Sequence, residues 1–245
     1  MWSPQPQRCT CEKAAAYWKK HDAEQEQKRI EEEHAKERAL MNERIEKLLG
    51  KSGIKKRFAT RTFENFRINQ ENRHAYEVAR RYADEFQRYA EEGKGLYFEG
   101  TYGTGKTHLA VAIALTLINQ GVPVICKTSI DILADIKKSY DEKTQYGEHQ
   151  VMDLYKKAEL LVIDDLGKEQ CTDWSMPNLY AILNDRYENM KPTIITTNYN
   201  EEMLINRLTP KNGDSSNIEA IISRLHECNE VVTMAWADYR GGGYE

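Results

Sequence analysis

The run GTYGTGKT, residues 100–107, constrains the fold of this chain more than any other feature of its sequence. It satisfies the pattern G-x-x-x-x-G-K-[ST] without a mismatch, and that pattern is typical of a loop that wraps around phosphate groups. A short apolar and aromatic run, 95–99, precedes it, and an Ala- and Leu-rich run, 108–118, follows it. The second run is long enough for a buried helix. The sequence therefore predicts a strand, a glycine loop and a helix in that order.

Each residue type in this loop has a chemical use. Glycines let backbone N–H groups turn toward the β- and γ-phosphates of a nucleotide, and the helix N-terminus adds positive potential. Lys106 supplies a mobile cation that also serves catalysis, and the hydroxyl of Thr107 can ligate Mg²⁺. The alternative is a chance match in a glycine-bearing loop. We predict that ATP and Mg²⁺ bind here, with the nucleotide held by Gly100, Thr101, Tyr102, Gly103, Thr104, Gly105, Lys106, Thr107 and His108.

A second motif supports the first. Residues 160–163 are four apolar residues, and Asp164 and Asp165 follow them directly. This pattern indicates a buried parallel strand that ends in acids beside the phosphates. We expect Asp164 to hold Mg²⁺, mostly through water, and Asp165 to orient or deprotonate the attacking water. Alone, the run fits equally well a structural strand whose acids cap the next turn, but the upstream loop favours the catalytic interpretation.

Length and composition fit a soluble ATPase. The chain has 245 residues, which is room for one α/β domain and an extension. It has no run of about 18 apolar residues and no apolar signal-peptide core, so we expect a cytoplasmic protein without a membrane partner. Five cysteines, an odd number, favour reduced thiols. A formal net charge of −4 excludes a globally basic nucleic-acid binder but allows a local basic stripe.

The chain is predicted to divide near residue 50. From Glu12 to Lys47 it is rich in charge and contains neither Pro nor Gly, which predicts one long solvated helix. Its apolar positions follow no clean heptad, so a helix that docks on a partner is favoured over an independent coiled coil. Gly50 then ends the helix. We predict a helical partner-binding segment over residues 1–50 and an ATPase domain over residues 51–245.

The second part of the chain alternates strand and helix patterns. Strands are predicted over residues 96–99, 122–126, 160–163 and 192–198. Helices are predicted over residues 72–93, 129–139 with Ser129 as N-cap, 151–158 and 174–190. This alternation predicts an α/β fold with a parallel sheet flanked by helices and a ligand at the carboxyl ends of the strands.

Several further motifs accompany the loop and the acidic strand in a fixed order. They are SGIKKRF at 52–58, TFENF at 62–66, IDDLG at 163–167, PTIITTN at 192–198, ISRL at 222–225 and YR at 239–240. Together they resemble the AAA+ ATPases of the DnaC/DnaI helicase-loader group, within the IstB-like ATP-binding superfamily. The resemblance covers residues 52–240 and implies a P-loop NTPase fold of the AAA+ type.

The resemblance also implies roles for individual residues. Phe58 and Phe63 would line the adenine pocket, and Asn198 would be sensor 1, which hydrogen-bonds the attacking water or the γ-phosphate. Arg224 matches the arginine finger and Arg240 matches sensor 2. Such a finger reaches the nucleotide of a neighbouring subunit, so the family implies self-association in an arc or helix. Taken alone, each arginine would more often be a solvated surface residue.

One feature of the group is incomplete here. Loaders often carry a zinc-binding module at the amino end, and Cys9 and Cys11 resemble the rear half of one. A structural zinc site needs four ligands, and His21 is an unattractive candidate. The remaining cysteines lie within the predicted ATPase domain: Cys126, Cys171 and Cys228. We expect no complete zinc site here: either the chain begins inside the module or the pair is two reduced thiols.

Contact with single-stranded DNA is suggested by a small basic and aromatic group. Lys137, Lys138 and Tyr140 combine two cations with an aromatic ring near a helix end, which suits the backbone and bases of a single strand. Trp174 is a second stacking candidate. The alternative is a lysine-rich helix end favoured by the helix dipole, with structural aromatic residues.

Three functions fit these predictions. The first is a loader that docks on a replicative hexameric helicase through its amino-terminal helix, engages single-stranded DNA and times release by ATP hydrolysis. The second is an IstB-like ATPase partner of a transposase, which shares the ATPase motifs. The third is a scaffold that binds ATP without appreciable hydrolysis. The separate amino-terminal segment favours the first.

Overall fold

The computed structural model describes residues 11–50, 53–140, 147–210, 213 and 215–237. The chain divides into two compact units, Met1–Leu40 and Met41–Glu245. Helix α1, Glu12–Leu49, runs through the first unit and ends in the second. No helix in the described ranges is both long and apolar enough to cross a membrane.

Helix α1 has two different environments along its length. In the first unit most of its side chains are exposed, and near-neighbour ion pairs such as Arg29 with Glu26, at 2.6 Å, decorate its surface. In the second unit Ile45 is buried, and Asn42 Nδ2 donates a hydrogen bond to the Gly121 carbonyl at 2.8 Å. The structure thus contains the predicted long charged helix, but its last turns pack into a core instead of remaining solvated.

The second unit contains a five-stranded sheet in which every pair of neighbours is parallel. Its strands are β1 (Gly95–Gly100), β2 (Val124–Thr128), β3 (Leu160–Leu166), β4 (Thr193–Thr197) and β5 (Asn229–Met234). Their order in space is β2-β3-β4-β1-β5. The predicted parallel sheet is confirmed. The edge strand β5 was not predicted.

Eight further helices lie in the described part of the second unit, two ahead of β1 and six between strands. They are α2 (Arg73–Asp84), α3 (Phe86–Glu91), α4 (Lys106–Asn119), α5 (Ser129–Lys138), α6 (Glu148–Lys157), α7 (Ser175–Glu188), α8 (Glu201–Leu208) and α9 (Ser216–Cys228). The predicted helix over 72–93 is in fact two helices, which break at Glu85. The N-cap of α5 is Thr128, not Ser129, because the Thr128 hydroxyl accepts a hydrogen bond from the Asp131 N–H at 3.1 Å.

Successive side chains of each strand point to opposite faces of the sheet and contribute to two apolar layers, one on each face. On one face, residues such as Leu96, Phe98 and Val162 pack against α2, α3 and α4. On the other face, residues such as Tyr97 and Ile163 pack against α5 to α9 and the end of α1. Helices on both faces leave the carboxyl ends of the strands open, and the candidate site lies there.

A buried arginine holds part of the second layer together. Arg186 of α7 is fully buried, and burial lowers the pKa of its guanidinium to about 9. Its nitrogens donate to the carbonyls of Tyr155, Lys156, Ala158 and Pro192 and to the hydroxyl of Thr193. These hydrogen bonds join the end of α6 to the start of β4 and offset the cost of desolvating the charge.

Candidate functional site

The glycines of the loop between β1 and α4 are required by its geometry. Gly100 has φ 135° and Gly105 has φ 99°, where side chains are strained. A Cβ on Gly100 would lie 2.1 Å from the carbonyl oxygen of Met234, and one on Gly105 would lie 2.8 Å from the Phe66 ring. The loop therefore passes close to β5 on one side and to an aromatic ring on the other.

The loop is also hydrogen-bonded to the chain that follows β5. The Thr101 N–H donates to the Met234 carbonyl at 3.2 Å, and the Thr101 hydroxyl donates to the Trp236 carbonyl at 3.0 Å. Lys106 is buried and folds back across the loop, so that its Nζ donates to the carbonyls of Gly100 at 2.9 Å and Thr101 at 2.6 Å. Its ammonium thus lies inside the turn that would surround the phosphates.

The first acid of the strand lies against the threonine of the loop. Asp164 is buried, and its Oδ1 accepts hydrogen bonds from the hydroxyls of Thr107 at 2.8 Å and Thr196 at 2.6 Å. Burial raises the pKa of the Asp164 carboxyl. A carboxylate oxygen beside a hydroxyl is the kind of hard oxygen pair that Mg²⁺ prefers.

The residues present fit a magnesium ion that is completed by phosphate and water. Within the described ranges, no group of three or more His, Cys, Asp or Glu side chains comes together as a metal site. Magnesium at phosphate-transfer sites needs no such group, because it is bound through one or two protein oxygens and keeps several waters. Thr107 and Asp164 are the residues that would supply those two oxygens.

The second acid points in another direction. Asp165 has φ 59°, and its N–H donates to the Thr196 hydroxyl at 2.9 Å. Its Oδ1 accepts from Asn198 Nδ2 at 3.2 Å, and its Oδ2 pairs with Lys168 Nζ at 2.7 Å. The structure therefore brings Thr107, Asp164, Asp165 and Asn198 together at the carboxyl ends of β3 and β4.

Sequence reasoning missed two residues of this cluster. Thr196 lies in β4 two positions before Asn198, which directly follows the strand, so the period of extended chain predicts both on the same side. That period was a usable signal. Lys168 comes three residues after Asp165, and only the turn between them brings the two side chains together. The sequence held no comparable signal for Lys168.

The aromatic residues ahead of the loop occupy different places. Phe58 is half-buried in a small groove with Val111, Cys126 and Asp164. Phe63 lies in the apolar core, where its ring contacts the ring of Tyr76 at 5.6 Å and the guanidinium of Arg80 at 5.3 Å. A third residue, Phe66, lies directly beside the loop.

His108 ties the segment ahead of the loop to α4. Its ring stands edge-on to Phe66, with centroids 5.1 Å apart, and its Nε2 lies 2.8 Å from the carbonyl of Thr62. Burial lowers the pKa of His108, so the ring is neutral at neutral pH. In that form Nε2–H donates to Thr62, and Nδ1 accepts from Arg61 Nη1 at 3.4 Å.

Of the two arginines in the predicted motifs, Arg224 lies among the described residues and Arg240 does not. Arg224 lies on α9, where its Nη1 donates to the Tyr180 hydroxyl at 3.1 Å and to Asn184 Oδ1, both on α7. Its guanidinium also lies 5.3 Å from the ring centroid of Tyr187. Arg240 lies outside the described residues, as does Cys9, whereas Cys11 is exposed at the start of α1.

The candidate DNA contacts lie at one surface of α5. Lys137 and Lys138 are exposed in its last turn, and Tyr140 follows them with 45% of its surface exposed. Trp174 Nε1 donates to the Tyr140 hydroxyl at 3.2 Å, and the two rings lie 6.0 Å apart. The two predicted stacking residues therefore form one pair.

The comparisons with known proteins agree with this geometry. The sequence model of the family described as IstB-like ATP binding protein matches residues 15–241. The chain belongs to this family. The Uncharacterized protein YdaV of Escherichia coli (strain K12) is 33% identical to it over 193 residues, which are 78% of this chain and 75% of YdaV. The Replicative helicase loader DnaC of the same strain is 28% identical over 201 residues, 80% of this chain and 76% of DnaC.

Solved structures place this IstB-like chain among the AAA+ P-loop NTPases. The crystal structure of the DnaC helicase loader superposes with a TM-score of 0.60 and 30% identity, covering 74% of this chain and 99% of that one. The predicted fold class and the resemblance to the DnaC/DnaI group are therefore confirmed.

Proposed function

We propose that this IstB-like chain is an ATPase that loads a replicative hexameric DNA helicase. The observation that carries the proposal is the joining of Thr107 to Asp164, and of Asp165 to Asn198, at the carboxyl ends of neighbouring strands. Thr107 and Asp164 supply oxygens that bind Mg²⁺, and Asp165 supplies a carboxylate that orients the attacking water. Phosphoryl transfer requires both parts. The similarity to DnaC supports the loading role.

In this proposal the chain's own groups divide the work of hydrolysis. The loop N–H groups and Lys106 bind the phosphates, and Mg²⁺, when bound, neutralises their charge. Asp165 accepts a hydrogen bond from the attacking water, and Asn198 fixes the orientation of that carboxylate. Arg224 and Arg240 serve as the finger and sensor 2, and Phe58 and Phe63 serve the adenine pocket, as the family resemblance implies.

The loading role also implies two binding surfaces, one for the helicase and one for single-stranded DNA. Residues 1–50 dock on the helicase, which fits the exposed charged face of α1, and residues 51–245 form the ATPase. Lys137, Lys138 and the pair formed by Tyr140 and Trp174 contact single-stranded DNA, with ATP hydrolysis timing release. The test is co-purification with a replicative hexameric helicase and transfer of that helicase to single-stranded DNA. Capture of a transposase instead would support the IstB-like alternative.

Replacing Lys106 with alanine is expected to weaken ATP binding about 100-fold, since a charge-assisted contact to phosphate is lost. Calorimetric titration with a non-hydrolysable ATP analogue and Mg²⁺ measures the effect. Lys157→Ala, on the exposed face of α6, is the matched control and should bind as the wild type does. An unchanged affinity in Lys106→Ala would remove the phosphate-loop assignment.

Replacing Asp165 with asparagine is expected to preserve binding of ATP with Mg²⁺ and to lower kcat about 100-fold. The reason is that Asp164 keeps the metal, whereas the amide of asparagine is a far weaker acceptor for the proton of water. Steady-state hydrolysis and a binding titration on the same preparation separate the two effects. Loss of binding to the same extent as turnover would mean that the roles of the two acids are reversed.

A further inference from the structure

The turn after the second acid folds a lysine back onto it. The Lys168 N–H donates to the Asp165 carbonyl at 3.3 Å, and the turn needs positive φ at Asp165, 59°, and at Gly167, 94°. The lysine Nζ then lies 2.7 Å from Asp165 Oδ2. The backbone of the turn therefore determines this ion pair.

Helix α8 and Tyr199, two residues ahead of it, fix this turn from outside. Arg207 Nε donates to the Gly167 carbonyl at 2.8 Å, and its guanidinium lies 4.4 Å from the ring centroid of Tyr199. A Cβ on Gly167 would approach the Tyr199 ring to 2.8 Å, so only glycine fits between ring and turn. The position of Lys168 relative to Asp165 is thus built into the packing.

The same ammonium also faces the phosphate loop. Lys168 Nζ lies 5.8 Å from the ring centroid of Tyr102, which is a residue of that loop. It therefore lies close both to a residue of the loop and to the acid of the proposed reaction. Lys168 is about one-third exposed, so its side chain can change rotamer without opening the core.

The ion pair with Lys168 occupies the Asp165 carboxylate, which the proposed reaction needs for the attacking water. Asp165 Oδ1 accepts from Asn198 and Oδ2 accepts from Lys168, so both oxygens are engaged. An ion pair that is this exposed contributes little to stability, which makes its exchange for another partner inexpensive. The terminal phosphate of ATP, with its higher charge, is a stronger partner for an ammonium than a single carboxylate.

We propose that Lys168 recognises the terminal phosphate: when ATP binds, its ammonium exchanges Asp165 for that phosphate, which frees Oδ2 to accept the attacking water. The inference rests on the proposed ATPase function. It makes Lys168 a group of the same chain that distinguishes ATP from ADP. Arg224, by contrast, would act on a neighbouring subunit.

The test compares binding of a non-hydrolysable ATP analogue and of ADP, each with Mg²⁺, to Lys168→Met and wild type. In Lys168→Met, loss of one charge-assisted contact is expected to lower the affinity for the triphosphate analogue about tenfold. The affinity for ADP is expected to change less than about twofold. Lys168→Arg should retain the preference, and Lys168→Gln should lose it as Lys168→Met does. Lys157→Met is the control, because Lys157 pairs with Asp153 at 2.6 Å on an exposed helix face.

Equal weakening of both nucleotides in Lys168→Met, or no change in either, overturns the inference. These outcomes are distinct from a failure of the proposed function, in which the wild type itself binds no triphosphate or hydrolyses none. A wild type that hydrolyses ATP, together with a Lys168→Met variant that keeps the full preference for ATP, would overturn the inference alone. Far-UV circular dichroism of each variant verifies the fold.

Discussion

Mixing two inactive variants of this chain is expected to restore ATP hydrolysis. Arg224→Ala subunits should bind ATP normally but hydrolyse it about 10³-fold more slowly, which is the scale of other arginine fingers. Their own phosphate loops remain intact. Lys106→Ala subunits lack a usable loop but present an intact Arg224. In a mixed assembly, the finger of the second variant can therefore reach the nucleotide held by the first.

The measurement is steady-state hydrolysis by each variant alone and by the mixture, at concentrations that permit association. Arg88→Ala is the matched control, because Arg88 is about half exposed and pairs with Glu85 on the surface. It should hydrolyse ATP as the wild type does. A mixture no more active than its components would show that Arg224 acts within its own subunit, or only on Tyr180 and Asn184 of α7.

Replacing Arg186 with alanine is expected to lower the free energy of unfolding by about 3 kcal/mol or more. The reason is not the lost charge, which is costly to bury, but the carbonyls that the guanidinium satisfies. Those of Tyr155, Ala158 and Pro192 would lose its donors at a position that is fully buried. A cavity would add to the loss.

Urea denaturation followed by circular dichroism measures this change. Arg88→Ala is the control, since Arg88 is about half exposed and pairs with Glu85 on the surface, where a change below about 1 kcal/mol is expected. Arg186→Met fills the volume without donors, so it should recover only part of the loss. A change in Arg186→Ala as small as that of Arg88→Ala would contradict the structural role of these hydrogen bonds.

The sequence predicted those strands that are continuous apolar runs, because a strand buried on both faces leaves that pattern. Strand β5 shows a weaker pattern, since it begins with Asn229 and Glu230, is an edge strand beside β1 in the described sheet, and leaves Val231 44% exposed. The break between α2 and α3 was equally hidden, since Glu85 is an ordinary helix former. Tertiary packing, not local preference, ends that helix.

The central cluster was predictable for a chemical reason. Phosphate binding fixes the spacing within the loop, and the presence of that loop favours a catalytic use of the acids at the strand end, so Thr107, Asp164 and Asp165 could be named from the sequence. The segment ahead of the loop offers no such constraint. Its phenylalanines follow no period, and nothing local indicates that Phe66 is the one whose ring reaches Gly105.

The two hydrogen bonds from Thr101 join the proposed phosphate-binding loop directly to a part of the chain that is distant in sequence. The hydroxyl of Thr101 and the carbonyl of Trp236 are 135 positions apart in sequence, yet they are directly bonded. A displacement of Trp236 would therefore act directly on Thr101 of the loop, through this hydrogen bond. Anything that binds the residues directly after β5 could therefore alter the geometry of the loop without contacting a nucleotide in it.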